Sequence, residues 1–171
     1  MNLRDTRLKA VILAGGFGTR LRPLSCTRPK LLFPVVNKPI LDWTLERLAE
    51  IGVKEVILAV NYMAETLMQH YGSARYGMKI SYSTEDRPLG TGGPVKKAEK
   101  LIGHKEPFLV LNGDILTNMN YAQLLEQHRE NGAVATIALC EVDDPSRYGI
   151  VELTEEKQIT RFIEKPAREE A

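Results

Sequence analysis

Three short apolar runs constrain this chain more than any other feature: residues 8–13 (LKAVIL), 53–60 (VKEVILAV) and 107–111 (PFLVL). Runs of this length, bounded by glycine, proline or asparagine, read as strands buried on both faces. Between them the apolar spacing turns helical. Leu41, Leu45 and Leu48 fall at i, i+4 and i+7 in a helix over 39–51, with Pro39 in its first turn and Gly52 as its stop. Residues 64–71 form a second helix ended by Gly72, 94–102 a third that opens on Pro94, and 121–130 a fourth stopped by Asn131 and Gly132. Residues 78–83 and 133–140 (AVATIALC) add two further strands.

Strands alternating with helices of about ten residues are the signature of βαβ units. The expected fold class is therefore α/β: a three-layer, Rossmann-like, mostly parallel sheet with helices on both faces. After Cys140 the rhythm changes. Residues 148–153 and 158–164 are short strands around the charged turn Thr154-Glu155-Glu156-Lys157, a C-terminal β-hairpin. The 171 residues contain no repeat, linker or low-complexity segment, so 1–171 is expected to be a single domain. Ligands of such a sheet sit outside the carboxyl ends of its strands, which points to the loops after Leu13, Ser83 and Leu111.

Charge excludes some classes. With 23 basic and 22 acidic side chains the chain has no cationic excess for nucleic acid, and 6% aromatic residues offer few stacking platforms. Cys26 and Cys140 follow no metal-binding spacing, and His70, His104 and His128 are scattered singly. Neither a Cys/His metal site nor a Ser/His/Asp triad is supported. No run approaches the roughly 18 apolar residues of a membrane span, and Met1-Asn2-Leu3-Arg4-Asp5 carries charge instead of an export signal. The expectation is a cytoplasmic protein with reduced thiols and no nucleic-acid or membrane partner; self-association stays open.

The loop after the first strand reads Leu13-Ala14-Gly15-Gly16-Phe17-Gly18-Thr19-Arg20. Glycines let backbone N–H groups turn toward an anion with no Cβ in the way. No GK[ST] closes the loop, so it is not a Walker A motif, and Leu21 stands where GxGxxG needs its third glycine. A glycine-rich turn by itself is equally a structural feature. The cluster Arg20, Arg22, Arg28 and Lys30, interrupted by Pro23 and Pro29, makes it a candidate polyphosphate site.

The segment LAGGFGTRLRPLSCTRPKLLFPVVNKPILDW resembles the signature of the nucleotide-sugar pyrophosphorylases, the sugar-1-phosphate nucleotidyltransferases. The resemblance continues in family order through Pro88-Leu89-Gly90-Thr91-Gly92-Gly93-Pro94, Leu111-Asn112-Gly113-Asp114, Tyr148-Gly149-Ile150-Val151 and Phe162-Ile163-Glu164-Lys165-Pro166. One mild departure is Leu31-Leu32 after Lys30, where the family reads P-K-P-L. The resemblance implies a GT-A-like nucleotidyltransferase fold. It also implies that a sugar 1-phosphate attacks the α-phosphorus of a nucleoside triphosphate in line and displaces pyrophosphate. Such chemistry rests on positioning and electrostatics and needs no covalent nucleophile.

By that resemblance, Ala14, Gly15, Gly16, Gly18 and Thr19 wrap the triphosphate and Arg20 binds the leaving phosphates. Lys30 reaches the α-phosphate or the sugar phosphate, and Asp114 holds Mg²⁺, the implied cofactor. Glu85, Gly90 and Thr91 lie where the family reads the base. Gly149, Glu164 and Lys165 match positions at the sugar hydroxyls and sugar phosphate. Arg20, Lys30 and Asp114 are the implied catalytic residues.

PLGTGGPV is most similar to the corresponding loop of mannose-specific guanylyltransferases, which implies GTP and mannose 1-phosphate as partners. A dTTP- or UTP-dependent glucose-1-phosphate enzyme is the alternative. A non-catalytic nucleotide-binding regulatory subunit of the same fold is another, although such subunits tend to lose the residues that stand here as Arg20, Lys30 and Asp114. Family enzymes continue past the E-K-P motif, so the chain is expected to lack the C-terminal part of the sugar-binding region.

Overall fold

The computed structural model describes residues 8–87, 89–103 and 106–166. Strands β1 (Lys9–Leu13), β2 (Glu55–Val60), β4 (Met78–Thr84) and β5 (Phe108–Asn112) are parallel, in the order β4-β2-β1-β5. The two-residue β3 (Ala74–Arg75) runs antiparallel along the outer edge of β4. Pairing is in register along β1, where Leu13 meets Ala59 on one side and Asn112 on the other. The carboxyl ends of β1 and β5 therefore finish level, and β2 runs one residue further.

Side chains alternate across this sheet and build two cores. Ala10 and Ile12 of β1, with Val56, Leu58 and Val60 of β2, pack under Leu41, Leu45 and Leu48 of α1 (Ile40–Glu50) and Leu67 and Tyr71 of α2 (Ala64–Tyr71). Tyr121 and Leu125 of α5 (Tyr121–Asn131) join the same core. Val11, Ile57 and Ala59 face the other way, onto Ala98 and Ile102. Each fully buried Leu or Ile contributes about 1.5–3 kcal/mol of transfer free energy, which is why the apolar period dictates the layers.

Most elements lie where the periodicity places them. The helix expected over 94–102 instead begins at Gly92 and breaks at Ala98, giving α3 (Gly92–Lys97) and α4 (Glu99–Ile102). The region between β1 and α1 is built from three single-turn 3-10 helices, Thr19–Leu21, Leu24–Cys26 and Lys30–Leu32, and a small hairpin pairing Pro34–Val35 with Lys38–Pro39. No described helix is long and apolar enough to cross a membrane.

Contacts divide the chain into two compact units, Met1–Leu125 and Glu126–Ala171. In the second, β6 (Gly149–Leu153) and β7 (Ile159–Glu164) form the expected antiparallel hairpin, with a register shift at Glu152 and Leu153. The strand expected over 133–140 is absent. Its alternation suits a sheet, but a strand exists only as part of a ladder, and among the described residues no backbone pairs with it. Val134, Ile137 and Leu139 consequently stand exposed.

Candidate functional site

The strand order turns back at β1: the chain steps from β1 outward to β2 and β4, then returns to place β5 on the other side. The crevice at such a switch point, outside the carboxyl ends of β1 and β5, is where an open α/β sheet binds its ligand. Both flanking loops carry expected site residues.

After Leu13 the backbone stays tied to the sheet through the Ala14 N–H, which donates to Ala59 O at 2.8 Å. Gly18 takes a left-handed conformation (φ +60°), its carbonyl accepts from Ser25 Oγ at 2.8 Å, and a Cβ there would lie 3.2 Å from Ser25 Cβ. Thr19 and Arg20 follow in the first 3-10 turn, both exposed. Among the described residues Arg20 has no hydrogen-bond or ion-pair partner. A guanidinium so placed is free to meet a ligand's phosphates.

Lys30 comes back to the same place. A Cβ on Gly16 would lie 3.1 Å from Lys30 Nζ, so the bare α-carbon of Gly16 makes room for the ammonium. Pro29 and Leu31 on either side are buried, which fixes the backbone and turns Lys30 outward. Leu31, the departure from the family pattern, is 1% exposed and packs against Gly113. On the β5 side, the Gly113 N–H donates to Leu13 O at 3.1 Å. A Cβ on Gly113 would meet Ile12, Leu31 and Leu13 O within 3.0–3.2 Å. Asp114 follows directly, and its carboxylate accepts from Lys30 Nζ.

Asp114 is an exposed carboxylate, and no cluster of three or more His, Cys, Asp or Glu occurs among the described residues. A hard oxygen donor of this kind fits Mg²⁺, which takes one or two carboxylates and completes its shell with phosphates and water. It does not fit zinc, which would demand three or four nitrogen, sulfur or carboxylate ligands.

Glu85 follows β4 and is buried. Its N–H donates to Val60 O at 2.9 Å, its Oε2 accepts from Leu89 N–H at 3.2 Å, and its Oε1 would lie 3.4 Å from a Cβ on Gly15. Gly90 has φ +74° and nothing within 4 Å of its missing side chain, and Thr91 is exposed at the N-terminal cap of α3. Pro88 lies outside the described residues. Gly93 is the tight position in this loop, because a Cβ there would sit 2.4 Å from Leu89 Cβ.

The second unit brings its own three expected residues together. Gly149 pairs with Glu164 across the hairpin, and a Cβ on Gly149 would lie 3.1 Å from Glu164 Oε2. Lys165 adopts φ +46°, donates its N–H to Tyr148 O at 2.9 Å, and pairs with Glu164 at 3.7 Å.

The sequence reading overlooks the loop after Val60. Asn61 packs beside Gly15, and Tyr62 packs against Phe17 in a tilted arrangement with ring centroids 5.4 Å apart. The available signal was positional: this loop also leaves the carboxyl end of a buried strand.

Residues 9–171 match the family model described as "Nucleotidyl transferase". The chain belongs to that family. This nucleotidyl transferase chain is 46% identical over 162 residues to the mannose-1-phosphate guanylyltransferase catalytic subunit beta of Dictyostelium discoideum. It is 45% identical over 163 residues to the protein of that name from Danio rerio. Each alignment covers 93% of this chain but 45% of the relative, so the chain spans about half the length of the curated relatives it matches. Among solved structures, HddC from Yersinia pseudotuberculosis complexed with GMP-PN superposes with a TM-score of 0.74 at 32% identity, covering 93% of this chain and 70% of that one. A structure described as a glucose-1-phosphate thymidylyltransferase from Bacillus anthracis gives 0.84 at 25% identity, covering 93% and 65%. The nucleotidyl transferase fold is thus shared with chains whose names carry different nucleotides and sugars.

Proposed function

We propose that this chain carries the nucleotide-binding part of a sugar-1-phosphate guanylyltransferase that joins GTP to mannose 1-phosphate. The observation that carries this reading is the meeting of Lys30 and Asp114 beside the Gly15–Gly18 loop, at the switch point of the sheet. The relatives named as mannose-1-phosphate guanylyltransferases and the GMP-PN complex of HddC support guanine over other bases.

In this reaction a phosphate oxygen of the sugar 1-phosphate bonds to the α-phosphorus as the bond to pyrophosphate breaks on the opposite side. The protein must hold two anions against their repulsion and stabilise the charge that collects on the leaving group. Backbone N–H groups of Gly15, Gly16 and Gly18 face the triphosphate, and Arg20 neutralises the departing β- and γ-phosphates. Lys30 exchanges its carboxylate partner for the α-phosphate or the sugar phosphate. Asp114 would hold Mg²⁺, which when bound withdraws charge from the phosphate oxygens. Gly149, Glu164 and Lys165 supply the contacts to the sugar and its phosphate.

The test is pyrophosphate release from a matrix of nucleoside triphosphates and sugar 1-phosphates. Preference for GTP with mannose 1-phosphate supports the reading. Preference for dTTP or UTP with glucose 1-phosphate reassigns the substrates. Guanine-nucleotide binding without turnover under any pairing makes this chain a binding unit instead of an enzyme.

A further inference from the structure

The side-chain amide nitrogen of Asn61 is buried and has no hydrogen-bond partner among the described residues. A buried donor left unpaired costs stability, so its persistence calls for an acceptor from outside the protein. The Asp42, Tyr71 and Arg75 cluster also holds buried atoms without hydrogen bonds. There, however, Asp42 and Arg75 face each other at 3.5 Å and neutralise one another. Among the described residues Asn61 has no such partner.

Its location gives the unpaired amide a meaning. Asn61 is the first residue past β2, at the carboxyl end of the sheet. A Cβ on Gly15 would lie 3.3 Å from Asn61 Cβ and 3.4 Å from Glu85 Oε1, so the Asn61 side chain and the Glu85 carboxylate border the same bare α-carbon. Glu85 Oε2 is held by the Leu89 N–H, whereas Oε1 accepts no hydrogen bond among the described residues. One idle donor and one idle acceptor therefore belong to side chains that border the same glycine of the phosphate loop, and the two make no hydrogen bond with each other.

The geometry points to Asn61 as a specificity-determining residue for the base, its amide donating to O6 of guanine while Glu85 accepts from the N1–H and 2-amino group. This deepens the guanine reading above and rests on it. The pairing is polar in one sense only. Guanine offers an acceptor at position 6 and donors at positions 1 and 2. Adenine reverses positions 6 and 1, setting its amino group against the Asn61 amide and its N1 lone pair against the Glu85 carboxylate. Two like-poled contacts in a dehydrated site discriminate more strongly than any fit of shape. Gly15 belongs to the same device, since any side chain there would fill the space between the two reading groups.

Calorimetric titration of the full chain with Mg²⁺ and four nucleotides separates the contacts: GTP, ITP lacking the 2-amino group, 6-thio-GTP with sulfur as a weak acceptor in place of O6, and ATP. The wild type should favour GTP over 6-thio-GTP and over ITP, each by about 10-fold, the loss of one hydrogen bond in a dry site. Asn61→Ala should erase the preference over 6-thio-GTP and keep that over ITP. Glu85→Gln should weaken the preference over ITP. Because Asn61→Ala removes an unpaired buried group, its Tm should match or exceed the wild-type value. An Asn61→Ala chain that still favours GTP over 6-thio-GTP, that loses all four nucleotides equally, or that melts earlier overturns the assignment. A wild-type chain that binds ATP as well as GTP overturns the guanine reading itself, a separate result.

Discussion

The Lys30 ammonium rests directly on the Asp114 carboxylate, although 84 residues separate them in the chain. Their side chains are 22% and 41% exposed, and an ion pair so open to water contributes only about 0–1 kcal/mol to stability. Its significance lies in placement. Each partner shields the other's charge in a crevice that a polyanion must enter, so binding exchanges one set of charge contacts for another.

Asp114→Asn keeps the shape of that crevice and removes one charge. Turnover should fall by about 100-fold or more, because the group proposed to carry the metal has gone. Nucleotide binding should persist, since Lys30 is released from its partner. Turnover measured against nucleotide Kd decides, and an unchanged rate would refute the role given to this carboxylate.

Arg20 makes a different prediction. It stands exposed and unpaired among the described residues, and its proposed partner is the leaving pyrophosphate. Arg20→Ala should therefore lower kcat by more than it raises KM for the sugar phosphate, because charge on that group grows only in the transition state. The opposite split, with kcat held and KM raised, would move Arg20 to the sugar end.

Adjacent glycines in α3 should respond with opposite sign. A Cβ on Gly92 meets nothing within 4 Å, so Gly92→Ala should gain up to about 1 kcal/mol from helix propensity. A Cβ on Gly93 would strike Leu89 Cβ at 2.4 Å, and overpacking of this kind costs about 1–3 kcal/mol. The clash outweighs the gain in propensity, and Gly93→Ala should destabilise. Urea midpoints of the two variants check the contrast; equal shifts would contradict it.

Acid should loosen the amino-terminal edge of the sheet. Glu55 loses solvation on burial, yet hydrogen bonds from Lys79, Ser81 and Lys9 outweigh that and hold its carboxyl below the ordinary 4.5. A depressed folded-state pKa means the stabilisation is fully present above 4.5 and disappears as pH falls from there toward the folded value. Glu55→Gln should cost about 1–2 kcal/mol at neutral pH and show a flatter loss below that point. Urea titrations of both proteins at several pH values provide the comparison, and parallel curves would remove Glu55 from the account.

The layers of this fold were legible because burial imposes a period. Leu41, Leu45 and Leu48 announce a helix face, and LKAVIL announces a strand covered on both sides. Residues 133–140 show the limit of that logic: AVATIALC alternates as a strand does, but alternation describes a surface and not the partner it needs. Gly92 and Gly93 hid the true start of α3, since glycine is a poor helix former and Pro94 looked like the first turn. The site was legible by loop chemistry at Gly15, Lys30 and Asp114, while their meeting depended on strand order. Asn61 was invisible, because nothing about one asparagine after a strand reveals that its amide is buried and unpaired.

Gly113 leaves the loop of Asp114 in direct contact with Ile12 and Leu31, so hydrocarbon contacts act as the gauge that sets the gap between the two charge-bearing loops. A map of inactivating substitutions in this chain should therefore contain positions that no ligand reaches. At Ile12 and Leu31, trimming a single methylene would leave the protein folded and its crevice out of tolerance.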